Sequence, residues 1–480
     1  MNNTMKKKRI KKRKTKKIQS ETEETPRIKE LKHKARRVSI KEGIFATAGF
    51  AFGNHYLSPF AIAINLSNSL IALMSSIGGI LGPLSQLFSS RLIEKYSRKK
   101  IVLNAVFWES MMWIPLIIVG FLFYKGLLVN IIPLFFLLFF SLHLIISNIS
   151  GPAWFSWMGD IVDEEYRGRW FAKRNLIHGT ISIVFALGAA FFLDYFKKIG
   201  LTIFGFMILF FFAFIFRMMS WNCFKKQYEP KIKLKKDYYF SFFDFLFKAP
   251  KNNFGKFTLY RSMLSFAQSI AAPLFAVYIL RYLNFSYIIY MTIVMTSSFF
   301  SIFLIELWGK FADNYGNYRT IVITSFFIPL IPILWTLSKS PVYLILVPSI
   351  IGGLAWAGFN LAAGNFVYDN VSQEKRGIAI SYYNLLVGIG TFLGAGLGAL
   401  LIKYLPQIFS LKPIIFIFLL SGVMRMLVVM IWIPHLKEVR KTHRFSGRMA
   451  FKNIILKQAK PTLIEEAHQI MSIKKYISKP

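Results

Sequence analysis

The sequence contains little cysteine and few acidic residues. Cys223 is the only cysteine among 480 residues, which excludes an internal disulfide and a metal site built on paired cysteines. Acidic residues number 22 against 60 lysines and arginines. No apolar segment follows the basic run at 6–17 before the polar stretch at 19–37, so no cleavable signal peptide is predicted. A GxxxxGK[ST] motif is also absent, which argues against an ATP-driven pump, and no cofactor is expected.

Apolar runs, by contrast, are abundant. Hydrophobic residues make up 55% of the chain, and segments such as 128–146 are about long enough to cross a bilayer. The formal charge of +38 would suggest nucleic-acid binding in a soluble protein. In a membrane protein, however, lysine and arginine collect in cytoplasmic loops, so no nucleic-acid partner is predicted. We predict twelve spans in the lipid bilayer, at 42–65, 69–92, 101–124, 128–157, 168–194, 201–222, 257–281, 286–310, 319–338, 341–367, 376–403 and 412–434.

The loop charges predict how these spans are oriented. Bases are concentrated in both tails and in the loops that follow even-numbered spans. The loops on the other side carry few, such as Lys125 and Lys339. The positive-inside rule therefore places both termini in the cytoplasm, and an even number of spans agrees with that placement. We expect a multi-pass protein of the cell membrane, and a monomer.

Two charged segments are copies of each other. Residues 159–175 read GDIVDEEYRGRWFAKRN, and residues 368–384 read YDNVSQEKRGIAISYYN. Asp160 aligns with Asp369 at an offset of 209 residues (369 − 160 = 209). The polar segment 224–255 divides the spans six and six. The predicted organisation is a basic tail, two homologous six-helix bundles joined by a linker, and a second basic tail, at 1–40, 41–223, 224–255, 256–436 and 437–480.

A second pair of segments carries a resemblance to a known family. Residues 309–318, GKFADNYGNY, resemble the loop Gly-x-x-x-Asp-Arg-x-Gly-Arg-Arg/Lys of the major facilitator superfamily of secondary transporters. Gly309, Asp313 and Gly316 match it, and the earlier copy, SRLIEKYSRK at 90–99, keeps its bases but has Glu94 for Asp. The resemblance extends over about residues 40–436. It implies an all-α integral membrane fold of two pseudo-symmetric six-helix bundles.

The resemblance also implies contacts between the halves at the cytoplasmic face. The loop acid of one half would dock at the start of the fifth-helix equivalent of the other, pairing Asp313 with 162–169 and Glu94 with 371–377. A solvated charged loop that only sets the topology is the alternative. The predicted cytoplasmic gate contains Glu94, Arg98, Asp160, Arg167, Asp313, Asp369 and Arg376.

Polar groups within the spans are candidates for a central site, because such groups usually face a bundle interior or a wet cavity. The resemblance implies that spans one, four, seven and ten line this cavity. Each of these side chains could instead make an ordinary interhelical hydrogen bond. Glu109 and His55 are candidates for carrying a coupling proton. The predicted cavity residues are Asn54, His55, His143, Asn148, Gln268, Trp356 and Asn360.

The leading functional hypothesis is a secondary active transporter of a small-molecule substrate that works by alternating access and is coupled to protons. Enzymatic activity is not expected. Two alternatives remain open at this stage. One is a non-transporting sensor or lipid-moving protein of the same fold. The other is a polytopic membrane transferase, which the placement of loop acids beside Arg and Gly in duplicated joints makes less favourable.

Overall fold

The computed structural model describes residues 26–93, 95–163, 167–230, 241–372, 375–406, 412–440 and 442. Glu94, the tail segments 1–25 and 443–480 and the linker segment 231–240 lie outside the described residues, so predictions that fall on them are not addressed by the structure. The described residues form helices and connecting turns without strands. Eleven of their helices are long and apolar enough to cross a membrane.

The amino-terminal half contains the first six spans. The first span is made of Pro26–Phe52, a 3₁₀ turn at Asn54–Tyr56, and Leu57–Ala63. Its middle carries the polar residues of the turn, and it is the one predicted span that is not among the eleven apolar helices. The second to sixth spans are Asn68–Leu92, Arg98–Met111 continued by Trp113–Tyr124, Ile132–Ile161, Arg167–Lys198 and Thr202–Lys225.

The carboxy-terminal half repeats this plan. A short helix at Phe242–Lys248 and a 3₁₀ turn at Ala249–Lys251 precede it. The seventh span runs through Asn253–Ser269 and Leu274–Val277 into a π-helical turn, Tyr278–Tyr282. The eighth to twelfth spans are Tyr287–Tyr315, Asn317–Phe327 with Leu330–Leu337, Pro341–Leu346 with Pro348–Asn370, Arg376–Tyr404, and Pro413–Trp432 ending in the turn Ile433–His435.

Two names for the ends of the bundle are used below. The terminal face carries the joints after the even-numbered spans two, four, eight and ten, and with them the start of the first helix at Pro26 and the segment after the twelfth span. The opposite face carries the joints that precede these same spans, including residues 64–67 and 283–286.

The halves pack against each other through small residues in the middle of the bundle. Gly79 of the second span lies so close to Gly388 of the eleventh that a Cβ built on Gly79 would stand 2.9 Å from the carbonyl oxygen of Gly388. The Ser76 hydroxyl donates to the carbonyl of Phe392 at 2.8 Å. Helices approach this closely where small residues face each other, as is common in membrane helix pairs.

The halves also contact each other at the opposite face. Arg281, in the π-helical turn of the seventh span, donates to the Asn68 side chain and, at 2.9 Å, to the carbonyl of Leu66. Asp194 of the fifth span accepts from the backbone N–H groups of Tyr287 and Ile288 at 2.8 and 2.9 Å. A carboxylate at a helix N-terminus is stabilised by the unpaired N–H groups and the helix dipole. The opposite face is therefore held closed by contacts from both halves.

Candidate functional site

A cavity of about 290 Å³ lies within the amino-terminal half. Its wall is formed by the first, third, fourth, fifth and sixth spans, so it is enclosed by one bundle. Small residues of the first span make room for it, and charged side chains from the other spans reach its surface. The lining residues are Gly43, Ala46, Thr47, Gly49, Phe50, Asn54, Glu109, Trp113, Ser147, Arg174, His178 and Arg217.

A network of two acids and two arginines lies at this wall, and Glu109, Arg174 and Arg217 of the network line the cavity. Glu109 Oε2 lies 2.6 Å from Arg217 Nη2, which is a direct ion pair between the third and sixth spans. Glu42 of the first span lies 4.0 Å from Arg217 and 3.6 Å from Arg174 of the fifth span. The Ser220 hydroxyl donates to Glu42 at 2.8 Å and accepts from Arg217 at 3.2 Å. Four spans are therefore joined through one set of charges.

The network is deeply buried and balanced in charge. Glu42 is 2% exposed and Glu109 is 7% exposed. Buried ions are tolerated when each is paired, and removal of one partner leaves a costly uncompensated charge. Here two carboxylates face two guanidinium groups. One further proton on either carboxylate would leave the network with one net positive charge.

Of this network, only Glu109 was among the predicted site residues, and Glu42, Arg174 and Arg217 were missed. Glu42 stands at the edge of the predicted first span, where a charge is ordinary. Arg174 stands among the bases of a duplicated joint, where it looks like a loop base. The first helix in fact begins at Pro26, well before the predicted limit, whereas Arg174 lies within the predicted fifth span. Both side chains are turned into the bundle, with 3% of the Glu42 side chain and 12% of the Arg174 side chain exposed.

The polar residues predicted in the first and fourth spans point in different directions. Asn54 lines the cavity, and its Nδ2 lies 3.4 Å from His143 Nε2. His143 is fully buried and packs on Trp113, with ring centroids 4.6 Å apart. His55 turns towards the fifth span, where its Nε2 lies 3.3 Å from the Ser182 hydroxyl.

The other predicted cavity residues lie outside this network. Asn148 accepts from Gln86 of the second span at 3.1 Å and donates to the carbonyl of Leu144. In the carboxy-terminal half, Gln268 and Trp356 are half-buried and Asn360 is exposed. The structure therefore places the predicted set in both halves, and only Asn54 among them reaches the cavity beside Glu109.

The duplicated acids of the terminal face make equivalent contacts in the two halves. Asp160, at the end of the fourth span, accepts from Arg98 at 2.6 Å. Asp369, at the end of the tenth span, accepts from Asn317 at 2.7 Å. Asn317 occupies the position of Arg98 in the second copy of the loop, at the offset that relates Glu94 to Asp313. Asp160 thus connects the end of the fourth span to the start of the third, and Asp369 connects the end of the tenth span to the start of the ninth. Both contacts lie within one half.

The remaining gate residues also make contacts within one half. Arg167 donates to the carbonyl oxygens of Gly159 and Val162, at the end of the fourth span, at 2.8 and 3.2 Å. Arg376 lies over the ring of Tyr368, 4.7 Å from its centroid. Asp313 lies 3.8 Å from Arg440 in the segment after the twelfth span. Since Glu94 and residues 164–166 are outside the described residues, the predicted contacts between the halves at this face stay predictions.

The chain is similar to known proteins both in sequence profile and in structure. The profile of the Major Facilitator Superfamily matches residues 257–477. The crystal structure of the nucleoside transporter NupG is similar, with 16% identity and a TM-score of 0.60 over 84% of this chain and 98% of that chain. A bacterial metal transporter shares 12% identity with a TM-score of 0.57, over 85% of this chain and 99% of that chain.

A third similar structure is a bacterial homologue of the iron transporter ferroportin, in an inward-facing state. It shares 14% identity and has a TM-score of 0.55, over 86% of this chain and 100% of that chain. No curated protein matches the sequence significantly. At these low sequence identities, the structural similarity is evidence for the fold alone. The chain shares this fold, with its many membrane-spanning helices, with proteins that are membrane transporters. The matched profile, which covers residues of the carboxy-terminal half, agrees with these structures on the fold of the major facilitator superfamily.

Proposed function

We propose that this chain is a secondary active transporter of a small solute that works by alternating access and is driven by protons. The observation that carries the proposal is the buried network of Glu42, Glu109, Arg174 and Arg217, of which all but Glu42 line the cavity. Ionisable groups inside a membrane bundle are costly, and they mark ion and substrate pathways more often than they mark stabilising contacts.

The geometry suggests how a proton would act on the network. Glu109 forms an ion pair with Arg217 at 2.6 Å, and Glu42 lies 4.0 Å from the same guanidinium group. A proton on Glu109 would weaken its ion pair and leave Arg217 to Glu42. The network would then carry one net positive charge, which changes the stability of any state in which the cavity is closed. Of the two predicted coupling residues, Glu109 is better placed than His55, because it lines the cavity.

Alternating access is supported by the contacts at the opposite face. Arg281 and Asp194 close that face with polar contacts, which can break more readily than an apolar core. Loop bases favour a cytoplasmic terminal face, and on that orientation the structure is closed towards the outside. Two of the similar structures are described as inward-facing. We further propose a location in the cell membrane, both termini in the cytoplasm, and a monomeric state.

Uptake into proteoliposomes tests the proposal. The purified chain is screened for accumulation of labelled small solutes with and without a pH gradient. For a solute that accumulates, Glu109→Gln and Glu42→Gln should abolish accumulation while sparing exchange across equal concentrations. Glu306→Gln is the matched control, because Glu306 is also a spanning acid but pairs with Lys310 on the surface of the eighth span. Accumulation at the unaltered level in both cavity variants would refute coupling through this network.

A further inference from the structure

The internal repeat identifies the surface in the carboxy-terminal half that corresponds to the charged cavity. The offset of 209 residues between the duplicated joints relates Ser147 to Trp356 and Arg174 to Tyr383. The offset between Pro59 and Pro273 in the first and seventh spans relates Thr47 to Arg261. Thr47, Ser147 and Arg174 line the cavity of the amino-terminal half. Their counterparts are therefore expected at the same depth in the carboxy-terminal bundle and on the same side of it.

These counterparts form a cluster around a cation. The Arg261 guanidinium lies 5.8 Å from the ring centroid of Trp356 and 5.4 Å from that of Phe359. The Tyr383 ring centroid lies 6.0 Å from that of Phe257, which stands one turn before Arg261 on the seventh span. Trp356 and Tyr383 are half-buried, and Asn360 beside them is exposed. The rings of Trp356 and Phe359 therefore line one side of the Arg261 guanidinium group, and the side of the cluster that carries Asn360 is exposed.

Arg261 differs from three arginines of the amino-terminal half in how it is neutralised. Arg217 and Arg174 each face a carboxylate, and Arg98 is paired with Asp160. Arg261 forms no ion pair with a carboxylate of the described residues, and its Nη1 is buried there without a hydrogen-bond partner. Arg261 is half-buried, and a cation partly withdrawn from water without a carboxylate partner is destabilising, so its presence calls for an anion that completes the site.

We propose that Arg261, with Trp356 and Tyr383, binds the anionic group of the solute that the protein carries. A guanidinium group presents two parallel donors that fit a carboxylate or a phosphate, and it does so best when its plane is fixed by stacking on aromatic rings. The Tyr383 hydroxyl offers a further donor. The substrate class is therefore an organic anion of carboxylate or phosphate type. The statement that this anion is transported rests on the proposed function, whereas its binding does not.

A thiol placed beside the cluster tests the proposal without knowledge of the substrate. Asn360 is four residues after Trp356 on one helix, so the two side chains share a face. Because Cys223 is the only cysteine, Cys223→Ser with Asn360→Cys leaves a single thiol. The rates of its modification by anionic sulfonatoethyl and cationic trimethylammonioethyl methanethiosulfonate are measured on the full chain in lipid nanodiscs. The anionic-to-cationic rate ratio should fall about fivefold on Arg261→Gln and be retained on Arg261→Lys.

Arg440→Gln is the control for loss of one charge, because Arg440 lies at the terminal face beside Asp313, and it should leave the ratio unchanged. Benzoate or inorganic phosphate should slow modification when Arg261 is present but not in Arg261→Gln, and neutral benzamide should have no effect. Protection by one anion alone would assign the carboxylate or the phosphate class. An unchanged ratio in Arg261→Gln, no protection by either anion, or a thiol unreactive to both reagents would overturn the proposal. None of these outcomes depends on proton coupling, so they are independent of the flux experiment.

Discussion

At the scale of single residues, the duplicated acids Asp160 and Asp369 each accept a hydrogen bond at an equivalent joint, but the donor differs between the two halves. Asp160 holds Arg98, which is 1% exposed and also donates to the carbonyl oxygens of Ser156 and Pro230. Asp369 holds the neutral amide of Asn317 instead. Charged hydrogen bonds contribute more than neutral ones, and an orphaned buried cation is more costly than an orphaned amide. The two joints therefore have the same geometry but different energetics.

This difference leads to a matched pair of substitutions. We expect Asp160→Asn to lower the free energy of unfolding by about 2 kcal/mol, because the buried Arg98 loses its shortest charged partner. Asp369→Asn should cost less than about 1 kcal/mol, because an amide can still accept from Asn317. Thermal and denaturant unfolding in detergent measures both. Equal losses in the two halves would show that the charge of Arg98 does not matter for this joint.

A second residue pair explains why the carboxylate–arginine network is found in the amino-terminal half and has no copy in the other. Arg217 and Arg425 occupy corresponding places in the sixth and twelfth spans. Arg217 binds the carboxylate of Glu109, whereas Arg425 donates to the carbonyl oxygens of Ile328 and Gln268 at 3.2 and 3.4 Å. The offset that relates Glu94 to Asp313 also relates Glu109 to Ile328. The carboxy-terminal half has thus kept the arginine and its location but has no acid to take up a proton there.

At the scale of helices, the glycines of the eleventh span set its distance from the seventh. A Cβ on Gly394 would lie 2.1 Å from the carbonyl oxygen of Phe266, and one on Gly398 would lie 2.3 Å from that of Ile270. These contacts are with backbone, which cannot rotate away. The small residues of the segment GAGLGAL thus allow close helix packing at both positions.

Gly394→Ala should therefore force the two helices apart and lower stability by about 1–3 kcal/mol, the usual cost of overpacking. Gly188→Ala in the fifth span is the control, because its Cβ would meet no atom within 4 Å. There the higher helix propensity of alanine should leave stability unchanged or raise it by up to about 1 kcal/mol. Thermal unfolding in detergent compares them. A neutral Gly394→Ala would mean that this helix contact adjusts freely.

Helix positions were largely predictable from the sequence, whereas side-chain partners were not. Apolar runs and loop bases located eleven spans, because length and hydropathy decide which segments cross a bilayer. The first span begins earlier than predicted, at Pro26, and it is broken at Gly53, where the Trp113 ring fills the space a Cβ would need. Partners such as Glu42 with Arg174 depend on how distant helices are rotated towards one another. A single sequence carries no signal for that rotation.

At the scale of the whole molecule, two similar bundles are tied together unevenly. Packed glycines join the middle, and Arg281 and Asp194 add polar contacts at the opposite face. Each half is separately braced at the terminal face by its own joints. Such a body can rock about its middle if the polar contacts at one end break as others form at the other end. The network around Glu109 lies within one of the rocking halves, where a proton can alter the balance.

The most direct test measures both faces at once. Spin labels at Lys198→Cys and Lys339→Cys report the opposite face, and labels at Lys95→Cys and Asn314→Cys report the terminal face, each pair in the Cys223→Ser background. Pulsed electron resonance distances in nanodiscs are recorded as the pH is lowered. The account predicts that one pair lengthens as the other shortens, and that Glu109→Gln removes this dependence on pH. Distances at both faces that stay constant with pH in the unaltered network would contradict it.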